Sequence, residues 1–363
     1  MRIVHTEASC GWGGQEIRIL EESKGMLERG HEVVILCPPE ARIHAEAQRR
    51  GIPVTALPIG RKRLPGMLAL RRWLAAHPAD VVNTHSSTDS WLAALACKTL
   101  RQPPPIVRTR HISAPIPKNA ASRWLYNGAV AHVVTTGEVL RQTLITHNSV
   151  PAERISSVPT GIDPARFCPG DQAAARKDLG LDPDGHYLGI VATLRSWKGH
   201  LHLLDAFASL DWPDWNLLIV GEGPMRGPIE AKVAALGLAG RVRLVGQQDR
   251  PEDWLRALDI FCLPSYANEG VPQAVLQAMF AGLPIVTTPV GAILEAVSDG
   301  ETALVVAPKN PAALATALAR LAADPQLGAR LGAAARQKAL ARFSREAMLG
   351  RMETVFRAVQ ETK

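Results

Sequence analysis

The sequence predicts an α/β fold of two doubly wound, Rossmann-like domains facing a central cleft. Three observations carry this. The chain has 363 residues, more than one ordinary domain needs. Short β-branched runs alternate with amphipathic helical stretches, a pattern that gives parallel sheets covered by helices on both faces. The alternation breaks near Phe167-Cys168-Pro169-Gly170, passes through a polar stretch from Asp171 to Gly185, and then restarts. The expected domains are residues 1–168 and 169–342, with residues 343–363 as a last helix packing back on the first domain. Open parallel sheets bind ligands at the carboxyl ends of their strands, so two such ends facing each other would enclose one.

In the first half, strands are expected near Ile3–Thr6, Val33–Cys37, Val81–His85, Ile106–Thr109, Val133–Thr135 and Ile155–Val158. Helical patterns follow the first five, as in Glu16–Glu22, Asp89–Leu100 and Glu138–Ile145. In the second half, strands are expected at Leu188–Ala192, Leu217–Val220, Val242–Val245, Ile260–Leu263, Ile285–Thr287 and Ala303–Val306. From Pro311 onward Ala, Leu and Arg dominate, and the tail reads as helix.

Composition narrows the class. Apolar residues make up 47% and charged residues 21%, enough to fill two cores and too apolar for a disordered chain. No apolar run approaches the roughly 18–20 residues of a membrane span. The five cysteines, at 10, 37, 97, 168 and 262, form neither a CxxC pair nor a metal-type spacing. With no export signal at the first residues, the expectation is reduced thiols and a cytoplasmic location. The net charge is +7. Residues 1–165 carry 20 Lys and Arg against 13 Asp and Glu, whereas residues 166–363 carry 21 of each. The excess therefore lies in the first half. Arg61, Lys62, Arg63, Arg71 and Arg72 alternate there with Leu, Met and Trp. Such a stretch suits an anionic membrane surface, and equally a solvated loop entering a surface helix. Aromatics at 5% and no recognisable module argue against nucleic acid.

Gly11-Trp12-Gly13-Gly14, between the first strand and first helix, invites a dinucleotide reading. It lacks G-x-G-x-x-G spacing, Trp12 would block backbone approach, and the second strand ends in Cys37-Pro38-Pro39 with no acid for a ribose. Glu16 in the first turn would oppose a phosphate. A tight structural turn is the other reading. Asp182-Pro183-Asp184 spells D-x-D but lies beside Gly185 in the interdomain stretch, so it reads as a turn.

The segment from Pro264 to Val286 reads strand end, loop, helix, glycine stop, next strand. Gly270-Val271-Pro272 places proline at the helix start, where free N–H groups suit a diphosphate. Here the chain resembles the retaining glycosyltransferases of family 4, which have the GT-B fold. Glu269-Gly270-Val271-Pro272, followed by Ala278-Met279-Phe280-Ala281-Gly282-Leu283-Pro284-Ile285-Val286, matches that family's E-G-x-P and A-x-A-G-x-P pattern. Gly13-Gly14-Gln15-Glu16, Met26 to Val33, Val158 to Phe167 and Thr193 to Gly199 resemble further family motifs in the same order, so the resemblance covers nearly the whole chain. Three positions depart from it. Gln277 replaces the second acid, Thr193 replaces an arginine, and Thr160 replaces an asparagine. Gln277 keeps a carbonyl acceptor for a ribose hydroxyl without the charge, and Arg195 can supply the guanidinium instead.

The resemblance implies roles. Lys198 and Arg195 would neutralise the leaving nucleoside diphosphate; otherwise they are loop cations. Glu269 would contact donor sugar hydroxyls and support charge at the anomeric carbon; otherwise it is an acid at a helix start. His111 resembles the histidine that approaches the donor sugar, and His85 is an acceptor-side candidate; a strand-end histidine can equally cap a loop. Glu269, His111 and Lys198 are the expected catalytic set. Gly13 and Gly14 join Arg195, Lys198, Glu269, Gly270, Val271, Pro272 and Gln277 on the donor side, and Glu16 joins His85 on the acceptor side. His5, His31 and His132 read as structural. The implied activity is retaining transfer from a nucleotide sugar to a saccharide or lipid-linked acceptor, as in lipopolysaccharide or polysaccharide synthesis. It requires neither cofactor nor metal. A sugar-nucleotide epimerase on the same fold and an inactive nucleotide-sugar-binding subunit are the alternatives.

Overall fold

A computed structural model describes residues 1–112 and 114–361. The chain separates into two compact units, residues 1–161 with 346–363, and residues 162–345.

The first unit holds a seven-stranded parallel sheet. Its strands are β1 (Arg2–Thr6), β2 (Glu32–Cys37), β3 (Val54–Ala56), β4 (Val81–Thr84), β5 (Ile106–Arg110), β6 (His132–Thr135) and β7 (Ile155–Ser157), in the spatial order β3-β2-β1-β4-β5-β6-β7. Strand alternation assigns the two faces. Val4, Val82, Ile106 and Val133 pack under Leu70, Leu74, Leu92 and Ala93 from the helices Leu64–Ala76 and Ser87–Lys98. Ile3, Val81, Val107 and Val134 pack under Met348, Leu349, Met352 and Phe356 of the helix Arg345–Glu361.

The second unit holds a six-stranded sheet: β8 (His186–Val191), β9 (Trp215–Val220), β10 (Val242–Gly246), β11 (Ile260–Leu263), β12 (Ile285–Thr287) and β13 (Leu304–Val305), in the order β10-β9-β8-β11-β12-β13. All its pairings are parallel as well. In each sheet the strand order reverses once, between β1 and β4 and between β8 and β11. The crevice beyond the carboxyl ends at such a point is where open α/β sheets take ligands.

Some expected boundaries move. β3 was not expected; it is a three-residue edge strand with only half-buried or exposed residues, too short for a periodic signal. The chain leaves the first unit at Gly161 rather than 168, because Ile162 is tied to the second. Its N–H donates to the Phe343 carbonyl at 2.9 Å and its carbonyl accepts from Arg345 N–H at 2.9 Å. The same two bonds move the return crossing from 342 to 345. The helical tail is three helices, Pro311–Ala323, Pro325–Arg342 and Arg345–Glu361. Asp324 separates the first two and caps the second by accepting from Leu327 N–H at 2.9 Å. No helix among the described residues is long and apolar enough to cross a membrane.

Candidate functional site

In the second unit, the loop after β8 and the loop after β11 lie at the reversal point of the sheet. The β8 loop ends in a single 3-10 turn, Ser196–Lys198, before the helix His200–Ala208. Gly199 joins them with φ of 79°, and a Cβ there would sit 2.1 Å from the Pro264 carbonyl oxygen, so only glycine lets the two loops meet. The Tyr266 N–H donates to the Trp197 carbonyl at 2.8 Å and completes the seam.

Across this seam Lys198 reaches Glu269. Its Nζ lies 2.7 Å from Oε1 and 3.0 Å from Oε2. The Ser265 hydroxyl donates to the same Oε1 at 2.6 Å. The Lys198 and Glu269 side chains are 15% and 5% exposed, so the pair is largely withdrawn from water. The backbone of Glu269 is pinned from the other side by Gly291, at φ of 60°, where a Cβ would come within 2.0 Å of its carbonyl oxygen. The site thus presents a cation held on a carboxylate at the mouth of the sheet.

The remaining candidates in this unit stand as follows. Gly270 is half-buried, and Val271 and Pro272 are buried, leading into the helix Gln273–Phe280. Pro272 is the N-cap of this helix rather than a residue of its first turn, because its ψ of 127° is extended. Gln277 sits half-buried within that helix. Arg195 is exposed, and its guanidinium lies over the Trp197 ring at 5.8 Å rather than on Glu269. Ser265 and His200 escaped the sequence reading. Ser265 looks like any loop serine until its bond to Glu269 is seen. His200 is buried, and burial together with the Lys198 charge, opposed in part by the Arg195 backbone, pushes its pKa down to about 4.

In the first unit, the glycine loop runs from β1 into the helix Gly14–Glu28, with Gly13 as an extended N-cap. Glu7 occupies the loop's interior. Its carboxylate accepts from the Ser9 N–H at 2.7 Å and from the Gln15 side-chain amide. Burial, then the Asp89 and Glu16 charges, hold it well above the usual carboxyl range. Glu16 is itself buried in the first helical turn.

His85 follows β4 and His111 follows β5, and the two meet: His85 Nδ1 is 3.0 Å from His111 Nε2. Asp89, in a capping box with Ser86, accepts from the His85 N–H at 2.8 Å and from the Thr6 hydroxyl at 2.7 Å, which fixes the β4 turn to β1. His5 completes the row, its Nδ1 2.9 Å from His85 Nε2. His31 pairs with Glu353 at 3.2 Å, and His132 lies 2.9 Å from the Ser156 hydroxyl. No cluster among the described residues has the makings of a metal site.

The family model described as "Glycosyltransferase Family 4" matches residues 12–166, and the one described as "Glycosyl transferases group 1" matches residues 171–338. A D-inositol 3-phosphate glycosyltransferase of Actinosynnema mirum is 31% identical over 363 residues, 87% of this chain and 85% of that protein. The lipopolysaccharide core biosynthesis mannosyltransferase LpsB of Rhizobium meliloti is 36% identical over 213 residues, 56% of this chain and 59% of that protein. Among solved structures, Anabaena HepE in complex with UDP-glucose superposes with a TM-score of 0.88 at 20% identity, covering 99% of this chain and all of that one. Two doubly wound parallel sheets and two matched models lead to one conclusion: the chain belongs to glycosyltransferase family 4 and has the GT-B fold.

Proposed function

We propose that the protein transfers a sugar, with retention, from a nucleotide sugar to a saccharide or lipid-linked acceptor in the synthesis of lipopolysaccharide or another cell-surface polysaccharide. The observation that carries the reading is the Lys198–Glu269 pair at the reversal point of the second sheet. A desolvated ammonium there is preorganised for the charge that grows on a departing diphosphate. Glu269, released from Lys198, turns its carboxylate to sugar hydroxyls and to the anomeric carbon. Arg195, Gly270, Val271, Pro272 and Gln277 complete the donor seat. His111 meets the sugar, and Gly13, Gly14, Glu16 and His85 belong to the first unit's share of the reaction. The bond from the anomeric carbon to the phosphate oxygen breaks as the acceptor oxygen bonds to the same face, and the acceptor proton passes to the leaving phosphate. No cofactor or metal takes part. HepE, of the same fold, binds UDP-glucose, and LpsB acts in lipopolysaccharide core biosynthesis; both support the class of donor and pathway.

The acceptor side is basic. Arg61, Lys62, Arg63 and Arg72 are exposed, and Leu64 beside them is 63% exposed. Arg71 is partly engaged, donating to the Thr99 hydroxyl at 3.0 Å. An anionic membrane face on the cytoplasmic side fits this patch.

The test is release of nucleoside diphosphate from a panel of UDP-, GDP- and ADP-sugars, with the anomeric configuration of any product read by NMR. Turnover abolished by Lys198→Ala, with an unchanged anomeric configuration, is expected. Conversion of the nucleotide sugar without diphosphate release would establish the epimerase instead, and binding without any turnover would establish the inactive subunit.

A further inference from the structure

The first unit contains a row of three histidines that ordinary packing does not explain. His5 Nδ1 lies 2.9 Å from His85 Nε2, and His85 Nδ1 lies 3.0 Å from His111 Nε2. The rings are nearly parallel, with centroids 5.2 Å apart at both steps and interplanar angles of 22° and 31°. His5 and His85 are buried, and His111, at the outer end, is half-buried.

A neutral imidazole has one N–H and one lone pair, so each link must run the same way. The direction is decided at the inner end. His5 Nε2 lies 4.0 Å from Glu22 Oε1. That oxygen is an acceptor, because the Asn83 amide donates to it at 3.2 Å, and the amide is oriented by the Thr109 hydroxyl, which donates to Asn83 Oδ1 at 2.9 Å. Arg18 holds the other oxygen, its Nε 3.5 Å from Glu22 Oε2. His5 Nε2 makes no hydrogen bond among the described residues, so the Glu22 carboxyl acts on it across 4.0 Å by charge alone: a proton there is favoured, whereas a lone pair would be opposed. With the proton on Nε2, His5 Nδ1 accepts from His85 Nε2–H, and His85 Nδ1 accepts from His111 Nε2–H. The proton of His111 is then spoken for on the inner side.

The rest of the surroundings keeps the row neutral. Arg18 and Glu22 face His5 from the helix Gly14–Glu28, with Phe356 edge-on from the helix Arg345–Glu361. Asp89 binds the His85 backbone, and Arg108 comes from β5. Burial, then Arg18, pushes His5 down to about 3. His85 is held well below the ordinary range by burial first and then by His111, His5, Arg18 and Arg108, and His111 by burial first and then by Arg18 and Arg108. All three are therefore biased toward the neutral ring.

We propose that Glu22 fixes, through His5 and His85 as positioning residues, the proton of His111 on Nε2, so that His111 Nδ1 is a lone-pair acceptor for a sugar hydroxyl. The sugar contact rests on the role proposed above for His111; the direction of the row does not. Such a group takes a hydrogen bond from a neutral hydroxyl and adds no cation beside the carbon where positive charge develops.

The test uses the full chain labelled with 15N-histidine. Two-bond 1H–15N correlations at pH 7.5 distinguish the tautomers, and His5, His85 and His111 are expected as Nε2–H. A proton on Nδ1 at His85 or His111, or an imidazolium at either, overturns the proposal. Two variants separate the relay from mere packing. In His5→Asn the side-chain carbonyl stands where Nδ1 stood, so the tautomer of His111 and the kcat/KM should be largely kept. In His5→Phe no acceptor remains, His111 should shift toward Nδ1–H, and kcat/KM should fall roughly 10- to 100-fold, as when an orienting partner is removed. Equal losses in both variants with His111 unchanged overturn the proposal. If His5→Phe fails to fold, the wild-type spectrum and His5→Asn still decide. Full transfer activity in His111→Ala, with the tautomers as expected, overturns the sugar contact alone.

Discussion

The Lys198–Glu269 pair should be measurable as a coupling energy in the unliganded protein. Lys198→Met and Glu269→Gln each remove one charge and keep the length of the side chain, and the double variant closes the cycle. Two unit charges about 4 Å apart interact by about 4 kcal/mol at an effective dielectric of about 20. Nζ sits 2.7 and 3.0 Å from the two oxygens, so the geometry is close to ideal. Desolvation offsets part of this, because the two side chains are only 15% and 5% exposed. The expected net coupling is about 1–3 kcal/mol. Each single variant alone should cost at least as much, since it leaves a buried charge without its partner. Urea unfolding followed by circular dichroism reads all four proteins. A coupling below about 0.5 kcal/mol would place the pair with ordinary surface ion pairs. It would refute the claim that Glu269 is held by Lys198 before a ligand arrives.

Two further outcomes are expected. His200 is pushed down to about 4 by burial and the Lys198 charge. Between that value and its unfolded value of about 6.5 the unfolded chain takes up a proton that the folded chain refuses, so His200 makes stability rise with pH. The stability of wild type relative to His200→Gln should therefore drop by about 2 kcal/mol from pH 7 to pH 5, at about 1.36 kcal/mol per pH unit; a difference that stays flat with pH would refute the buried neutral ring. Phe356→Ala should cost about 3–5 kcal/mol, because its ring is fully buried against Ile3, Val107 and Val134. Denaturant unfolding with a loss below 1 kcal/mol would show that the helix Arg345–Glu361 is not part of the first unit's core.

How much of this the sequence shows varies with the range of the interaction. Strand runs such as Leu217–Val220 and Ile260–Leu263 lie where expected, because fully buried parallel strands are continuous apolar runs. β3 has three residues and no buried face, so no local signal marks it. The motif residues Lys198 and Glu269 are visible in the sequence, but their contact spans 71 positions and depends on Gly199 and Gly291 letting backbones touch. His5 reads as structural, since nothing near Ile3-Val4-His5-Thr6 announces a partner 80 residues away. Ser265 is invisible for the same reason: its meaning lies in one oxygen of Glu269.

The helix Arg345–Glu361 closes the core of the first unit, while residues 162–345 belong to the other unit. A ribosome delivers Ile3, Val33, Val81, Val107 and Val134 long before Met348, Met352 and Phe356 emerge to cover them. The second unit, contiguous in sequence, can finish folding while the first still shows a bare apolar sheet face. The first unit becomes complete only when the helix Arg345–Glu361 has emerged. A message that stopped just after codon 345 would yield a polypeptide with the second unit whole and the first left with an exposed hydrophobic sheet face, a form that chaperones would hold and proteases would clear.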